Sequence, residues 1–190
     1  MNIGLFFGSF NPVHTGHLII ANHILNETHL KKIWLVVSPL NPFKTDRTLL
    51  NEQNRLALVQ IAVADDERII PKDIEFHLPR PSFTVNTLAW LQENCADDHF
   101  SIIMGSDSFQ SLDKWKNFES ITHQHKIFVY KRPGFEIVNT LHADIEILDA
   151  PLLDISSSTI RDLIKKRKSI RYLVPEIVRR EIEKNDYYTN

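Results

Sequence analysis

The chain predicts an α/β fold: a parallel, doubly wound sheet with a small C-terminal helical extension. Short apolar runs alternate with stretches whose apolar residues recur at helical spacing, and the connections between them are short. The runs that end near Phe7, Ser38, Met104 and Leu148 each lead into a polar turn or motif. Strand-helix-strand units with short connections cross over right-handedly and cover both faces of a sheet. The result is a Rossmann-like arrangement, in which ligands gather beyond the carboxyl ends of the strands, where the strand order reverses. The polar turns are therefore expected to converge on one side of the sheet.

Residues 2–7 read as a buried strand and residues 18–25 as the first helix. Residues 32–38 form a continuous apolar run, ended by Pro39 and Pro42, as in a strand buried on both faces. The loop 39–48 carries Lys44 and Arg47, and a helix starts at or just after Asn51 with Leu56, Val59 and Val63 as its apolar stripe. Residues 69–70 and 74–76 are short strand candidates. The Pro-rich stretch 78–83 leads to Thr84, a suitable N-cap for a helix with Val85, Leu88 and Leu91 inward. The strand candidate 100–104 ends in Gly105, Ser106, Asp107 and Ser108, and a helix or irregular segment runs through Trp115. Strand candidates follow at 126–130 and 145–148, with a sharp turn at Arg132, Pro133 and Gly134 between them. Residues 156–159 precede the helical pattern of Ile160, Leu163 and Ile164, and Pro175 opens a last helix with Ile177, Val178 and Ile182.

Composition narrows the function classes. The 190 residues suit one domain, 1–190, whose helical C-terminal part begins at about 156. The net charge of −2 is uneven: from Arg161 onward nine Lys or Arg stand against five Asp or Glu, leaving −6 on the rest. Those charges alternate with Ile and Leu as on the solvated face of a helix, so the sum makes no case for nucleic acid. Cys95 is the sole cysteine, which excludes an intrachain disulfide and a cysteine-rich metal cluster. No signal-peptide zones and no apolar run near the ~20 residues of a membrane span are present. A soluble, cytoplasmic protein is expected, with no membrane partner; a homo-oligomer is compatible with the helix stripes.

The chemistry concentrates where the first strand meets the first helix. Gly8 allows close backbone approach, Pro12 stiffens the turn, and the first free amides of the helix point back at whatever sits there. His14 and His17 lie one helical turn apart and can face one ligand. With neither a P-loop nor a Gly-x-Gly-x-x-Gly, phosphates would be held by these histidines and by the helix dipole. Residues 156–161 add hydroxyls, free amides and the Arg161 guanidinium in one turn, so two facing cradles could clamp a triphosphate. The same residues have plainer readings. Two histidines alone do not make a zinc site, and the 156–159 cluster could be a redundant N-cap.

The run Gly8, Ser9, Phe10, Asn11, Pro12, Val13, His14, Thr15, Gly16, His17 resembles the signature of the nucleotidyltransferase superfamily that carries a His-x-Gly-His element. Residues 155–161 resemble its second signature. Within the superfamily the chain is similar to the bacterial nicotinate-mononucleotide adenylyltransferases, on four further stretches: residues 39–44, residues 81–84 before a helix, residues 105–108 with Trp115 downstream, and residues 131–134. The resemblance runs from residue 3 to about residue 175. It implies that His14 and His17 contact ATP phosphates, with the Gly8, Ser9 and Phe10 backbone against the nucleotide, and that Ser157, Thr159 and Arg161 grip the triphosphate. It also implies Gly105 and Asp107 at the ATP ribose, Lys44 at the mononucleotide phosphate, Ser82, Thr84 and Trp115 at the pyridine end, and Arg132 on the mononucleotide side. Phe7 and Phe43 depart from the family pattern, which usually has glycine at the first position and commonly histidine at the second.

The implied reaction joins ATP and nicotinate mononucleotide, giving nicotinate adenine dinucleotide and pyrophosphate. The acceptor phosphate is already an anionic nucleophile, so the protein has to align it with the α-phosphorus and stabilise the departing charge. His14, His17 and Arg161 are the expected catalytic groups; no general base is required. Mg²⁺ would be bound through the substrate phosphates, with no metal site built from protein ligands. The alternatives are a nicotinamide-mononucleotide or phosphopantetheine adenylyltransferase of the same superfamily, and a nucleotide-binding regulator that has lost catalysis.

Overall fold

The computed structural model describes residues 1–40, 48–151 and 154–189. Six strands form one parallel sheet: β1 (Asn2–Gly8), β2 (Lys32–Val37), β3 (Ile69–Lys72), β4 (His99–Gly105), β5 (Ile127–Tyr130) and β6 (Ile145–Leu148). Their order is β3-β2-β1-β4-β5-β6, so the direction of winding reverses between β1 and β4. Phe6 pairs with Ile103 there, which brings the strand ends at Gly8 and Gly105 side by side.

Alternate residues along each strand feed opposite cores, and this is why the runs are apolar throughout. Phe6, Leu35, Ile103 and Phe128 face one core, closed by α1 (Thr15–Glu27), α2 (Glu52–Ala62), α6 (Ser157–Lys165) and α7 (Glu176–Lys184). Leu5, Val36, Ile102 and Val129 face the other, closed by α3 (Thr84–Asn94), α4 (Ser106–Phe109) and α5 (Phe118–Gln124). Val178 and Ile182 of α7 are fully buried in the first core, so the C-terminal helices complete the sheet's own packing. Among the described residues no helix is long and apolar enough to cross a membrane.

The expected strands at 2–7, 32–38, 69–70, 100–104, 126–130 and 145–148 are present within a residue or two. Residues 74–76 are not a strand. They lie in a 3₁₀ turn, Ile74–His77, in which the Phe76 amide donates to the Asp73 carbonyl at 2.8 Å. Only Asp73 separates this segment from β3, too little chain to reach a new place in the sheet. The turn buries Ile74 and Glu75 instead. Thr84 is the first residue of α3 and not its cap: Phe83 holds the cap position with extended backbone and no side-chain bond. The segment through Trp115 resolves into α4 and a 3₁₀ turn, Leu112–Lys114. Asn51 caps α2, accepting from the Gln53 amide at 2.9 Å.

Candidate functional site

The turn after β1 is tightly built. Phe10 adopts a positive φ of 44° and is 1% exposed, its ring edge-on to Phe6 and to His17 with centroids 6.0 and 4.9 Å away. A Cβ on Gly8 would come within 2.9 Å of that ring, so close approach, and no turn conformation, calls for glycine here. Asn11 fastens the turn to the start of the α2 region: its Nδ2 donates to the Thr48 carbonyl at 3.2 Å and its Oδ1 accepts from the Leu50 amide at 3.1 Å. Asparagine is suited to this dual role because its side chain carries both a donor and an acceptor.

His14 sits at the N-cap of α1 with extended backbone. Its amide donates to His17 Nδ1 at 3.2 Å, and the two rings stack with centroids 3.6 Å apart. An Nδ1 that accepts leaves the proton of the neutral His17 ring on Nε2, as a donor. His14 is 5% exposed, and its Nδ1 is buried with no hydrogen-bond partner among the described residues. Burial, and secondarily the positive charge of Arg132, lowers its pKa from 6.5 to about 4. The ring is therefore neutral at physiological pH and offers phosphate a single N–H.

This burial has a consequence for stability. Between pH 6.5 and about 4 the unfolded chain binds a proton at His14 that the folded chain refuses, so stability is full above that window and falls as pH drops through it. The His14 share between pH 7 and pH 5 is about 2 kcal/mol. Urea unfolding of the wild type and of His14→Gln at both pH values is expected to show that much less pH dependence in the variant; equal slopes would contradict it.

The second motif docks directly on the first. Ser156 caps α6, its Oγ accepting from the Thr159 amide at 3.1 Å and lying 2.8 Å from the Thr159 hydroxyl. Ser157 Oγ donates to the Pro12 carbonyl and Arg161 Nη1 to the Asn11 carbonyl, each at 2.9 Å. Ser156 carries the plain N-cap reading, while Ser157 and Arg161 tie the cluster to main-chain carbonyls of the first motif.

Two cavities flank the turn. Gly8, Ser9, Ser82, Thr84, Asp107 and Trp115 line the first, together with Phe7, Ser38, Glu75 and Lys116. The second is lined by His14, His17, Tyr130, Arg132, Ile155 and Ser156. Asp107 and Arg132 form an ion pair at 3.5 Å on the seam between them. Gly105 leaves the space for this pair, since a Cβ there would run into both side chains. The Arg132 amide also donates to Ser106 Oγ at 2.9 Å, which fixes the start of the 131–134 turn.

The expected residues thus divide. Ser82, Thr84 and Trp115 meet in one cavity, where Gly8, Ser9 and Asp107 join them. His14 and His17 meet in the other, and Arg132 stands with them and not with Trp115. Phe10 lines neither cavity, its ring being core. Ser157, Thr159 and Arg161 line neither cavity; Arg161 faces residues 48–50 and 186–189. Lys44 and Phe43 lie outside the described residues.

Sequence reasoning missed Glu75 and Arg55. Arg55 is fully buried and donates to the carbonyls of Leu50, Ser9, Ser38 and Pro39. One sign of it was available: Arg55 stands four residues before Val59, on the apolar stripe of its helix.

Comparison with known proteins places these features in context. The family described as cytidylyltransferase-like matches residues 5–163. The chain is 47% identical to a protein of Flavobacterium psychrophilum over 99% of both chains, and 45% identical to one of Cytophaga hutchinsonii over the full length of both; each is described as a probable nicotinate-nucleotide adenylyltransferase. Among solved structures, the Plasmodium falciparum nicotinic acid mononucleotide adenylyltransferase complexed with NaAD superposes with a TM-score of 0.84 at 22% identity, covering 98% of this chain and 97% of that one. At that identity the likeness speaks for the fold.

Proposed function

Because the chain belongs to the cytidylyltransferase-like family and, within it, to the nicotinate-nucleotide adenylyltransferases, we propose that its two cavities are halves of one site, with the acceptor nucleotide in the first and ATP across the second. The protein transfers the adenylyl group of ATP to nicotinate mononucleotide, giving nicotinate adenine dinucleotide and pyrophosphate in NAD biosynthesis. The observation that carries the two-cavity reading is the single turn between them: Gly8 and Ser9 line one side, His14 and His17 the other.

In this reading Trp115 stacks on the pyridine ring, and the backbone of residues 82–84 meets its substituent. Each phosphate oxygen that gains charge as the bond to the α-phosphorus breaks finds a donor in His17 Nε2–H and in the neutral His14 ring. The acceptor phosphate forms its bond to the α-phosphorus as pyrophosphate leaves with the bonding pair, and no protein group need take a proton. Arg132, paired with Asp107, sits where the two substrates meet and offers fixed positive charge there. Ser157 and Arg161 act one step back, holding the carbonyls of the turn that presents the histidines.

We assign Mg²⁺ to the phosphates of ATP, where it supplies charge neutralisation. The donor set fits that assignment: His14, His17 and Arg132 line the second cavity and offer donors to phosphate oxygens.

The direct test mixes the protein with ATP, Mg²⁺ and either nicotinate or nicotinamide mononucleotide and follows dinucleotide formation. Faster turnover with the acid is expected. No pyrophosphate release with either acceptor would overturn the reading in favour of a nucleotide-binding regulator, and equal or faster turnover with the amide would move the specificity.

A further inference from the structure

Glu75 is an acid in an unusual place. The 3₁₀ turn after β3 carries it inward, leaving it 2% exposed, on the wall of the cavity that also holds Ser82, Thr84 and Trp115. Thr87 Oγ1, from α3, donates to its Oε1 at 3.1 Å. Oε2 is buried and has no hydrogen-bond partner among the described residues. No lysine, arginine or histidine is paired with the carboxyl among the described residues, though Lys116 and Asp107 line the same cavity. A buried carboxylate without a cation is costly, so the neutral form is favoured here; burial pushes its pKa up, and the nearby hydroxyls of Ser82, Ser38 and Thr87 offset only part of this.

A neutral carboxyl whose Oε1 already accepts has one remaining demand: an acceptor for the proton on Oε2. A pyridine carboxylate supplies that acceptor with full negative charge, whereas an amide supplies a neutral carbonyl. We propose that Glu75 selects the acid form of the acceptor nucleotide, its Oε2 hydroxyl donating to the ring carboxylate while Oε1 stays on Thr87. An ionised Glu75 would do the opposite, repelling the acid and accepting from the amide nitrogen. The inference rests on the assignment of this cavity to the acceptor.

The test measures, by calorimetry, the dissociation constants of nicotinate and nicotinamide mononucleotide for the wild type, Glu75→Gln and Glu75→Leu. Glutamine keeps a donor; leucine fills the volume without one, which preserves the packing of the turn. The acid-over-amide preference is expected to stay within about twofold in Glu75→Gln and to fall about tenfold in Glu75→Leu, the loss of one hydrogen bond to a charged group. A preference unchanged in Glu75→Leu, or one that falls as far in Glu75→Gln, overturns the role of Glu75. Failure of the cavity assignment is read separately, as an affinity for the mononucleotide that is unchanged in Trp115→Ala.

Discussion

Replacing His17 by alanine is expected to lower kcat by about 10²- to 10³-fold while KM for ATP moves only a few-fold. The asymmetry follows from how the ring is held. The His14 amide occupies Nδ1 at 3.2 Å, and the Phe10 ring braces the imidazole edge-on, so the Nε2 proton is fixed in direction before substrate arrives. A donor fixed in advance interacts weakly with a hydrated ground-state phosphate and strongly with the oxygen that takes up charge as pyrophosphate leaves. Initial rates with ATP varied at saturating acceptor separate the two effects. His17→Gln, whose side-chain amide can place a donor near the Nε2 position, should recover part of the rate. If ATP affinity fell and the maximal rate held, His17 would be a ground-state ligand only.

The two histidines were legible because a strand-to-helix junction leaves amides unsatisfied, and residues three apart at a helix start share a face. What the junction did not reveal was which of the neighbouring donors look into the site. Arg161 carries the right charge in the right motif, yet its Nη1 goes to the Asn11 carbonyl, a contact across 150 positions of sequence. Arg132 reads like the end of an acceptor loop, but the seam with Asp107 depends on the absence of a side chain at Gly105, one strand away. The strands were legible for a simpler reason: each of Phe6, Leu35, Ile103 and Phe128 has a neighbour in sequence buried on the opposite face. Glu75 was hidden because residues 74–76 have a strand's composition; only the short tether from β3 turns them into a 3₁₀ segment that buries an acid.

Arg55→Leu should cost about 3–5 kcal/mol of stability, which for a domain of this length shifts the thermal midpoint by about 10 °C. A buried ion can often be replaced by an apolar residue at little cost, provided its partner is replaced with it. Here the partners are main-chain carbonyls and stay behind. Nε donates to Leu50 at 2.8 Å, Nη1 to Ser9 at 2.5 Å and Ser38 at 2.8 Å, and Nη2 to Pro39 at 3.1 Å. Burial lowers the pKa of this guanidinium, yet arginine starts so far above neutrality that it stays charged. That margin is what lets an arginine serve where a lysine would tend to lose its proton. One planar fork reaches three chain segments; an ammonium on the same stem cannot satisfy all of them, so Arg55→Lys should recover only part of the loss. Because Ser9 and Ser38 both line the cavity proposed for the acceptor, the lysine variant should also raise KM for the mononucleotide more than it lowers kcat. Urea unfolding with an unchanged m-value measures the first effect and steady-state kinetics the second. A loss below 1 kcal/mol in Arg55→Leu would mean that water or neighbouring groups satisfy those carbonyls, and that Arg55 is not what holds the first turn against the end of β2.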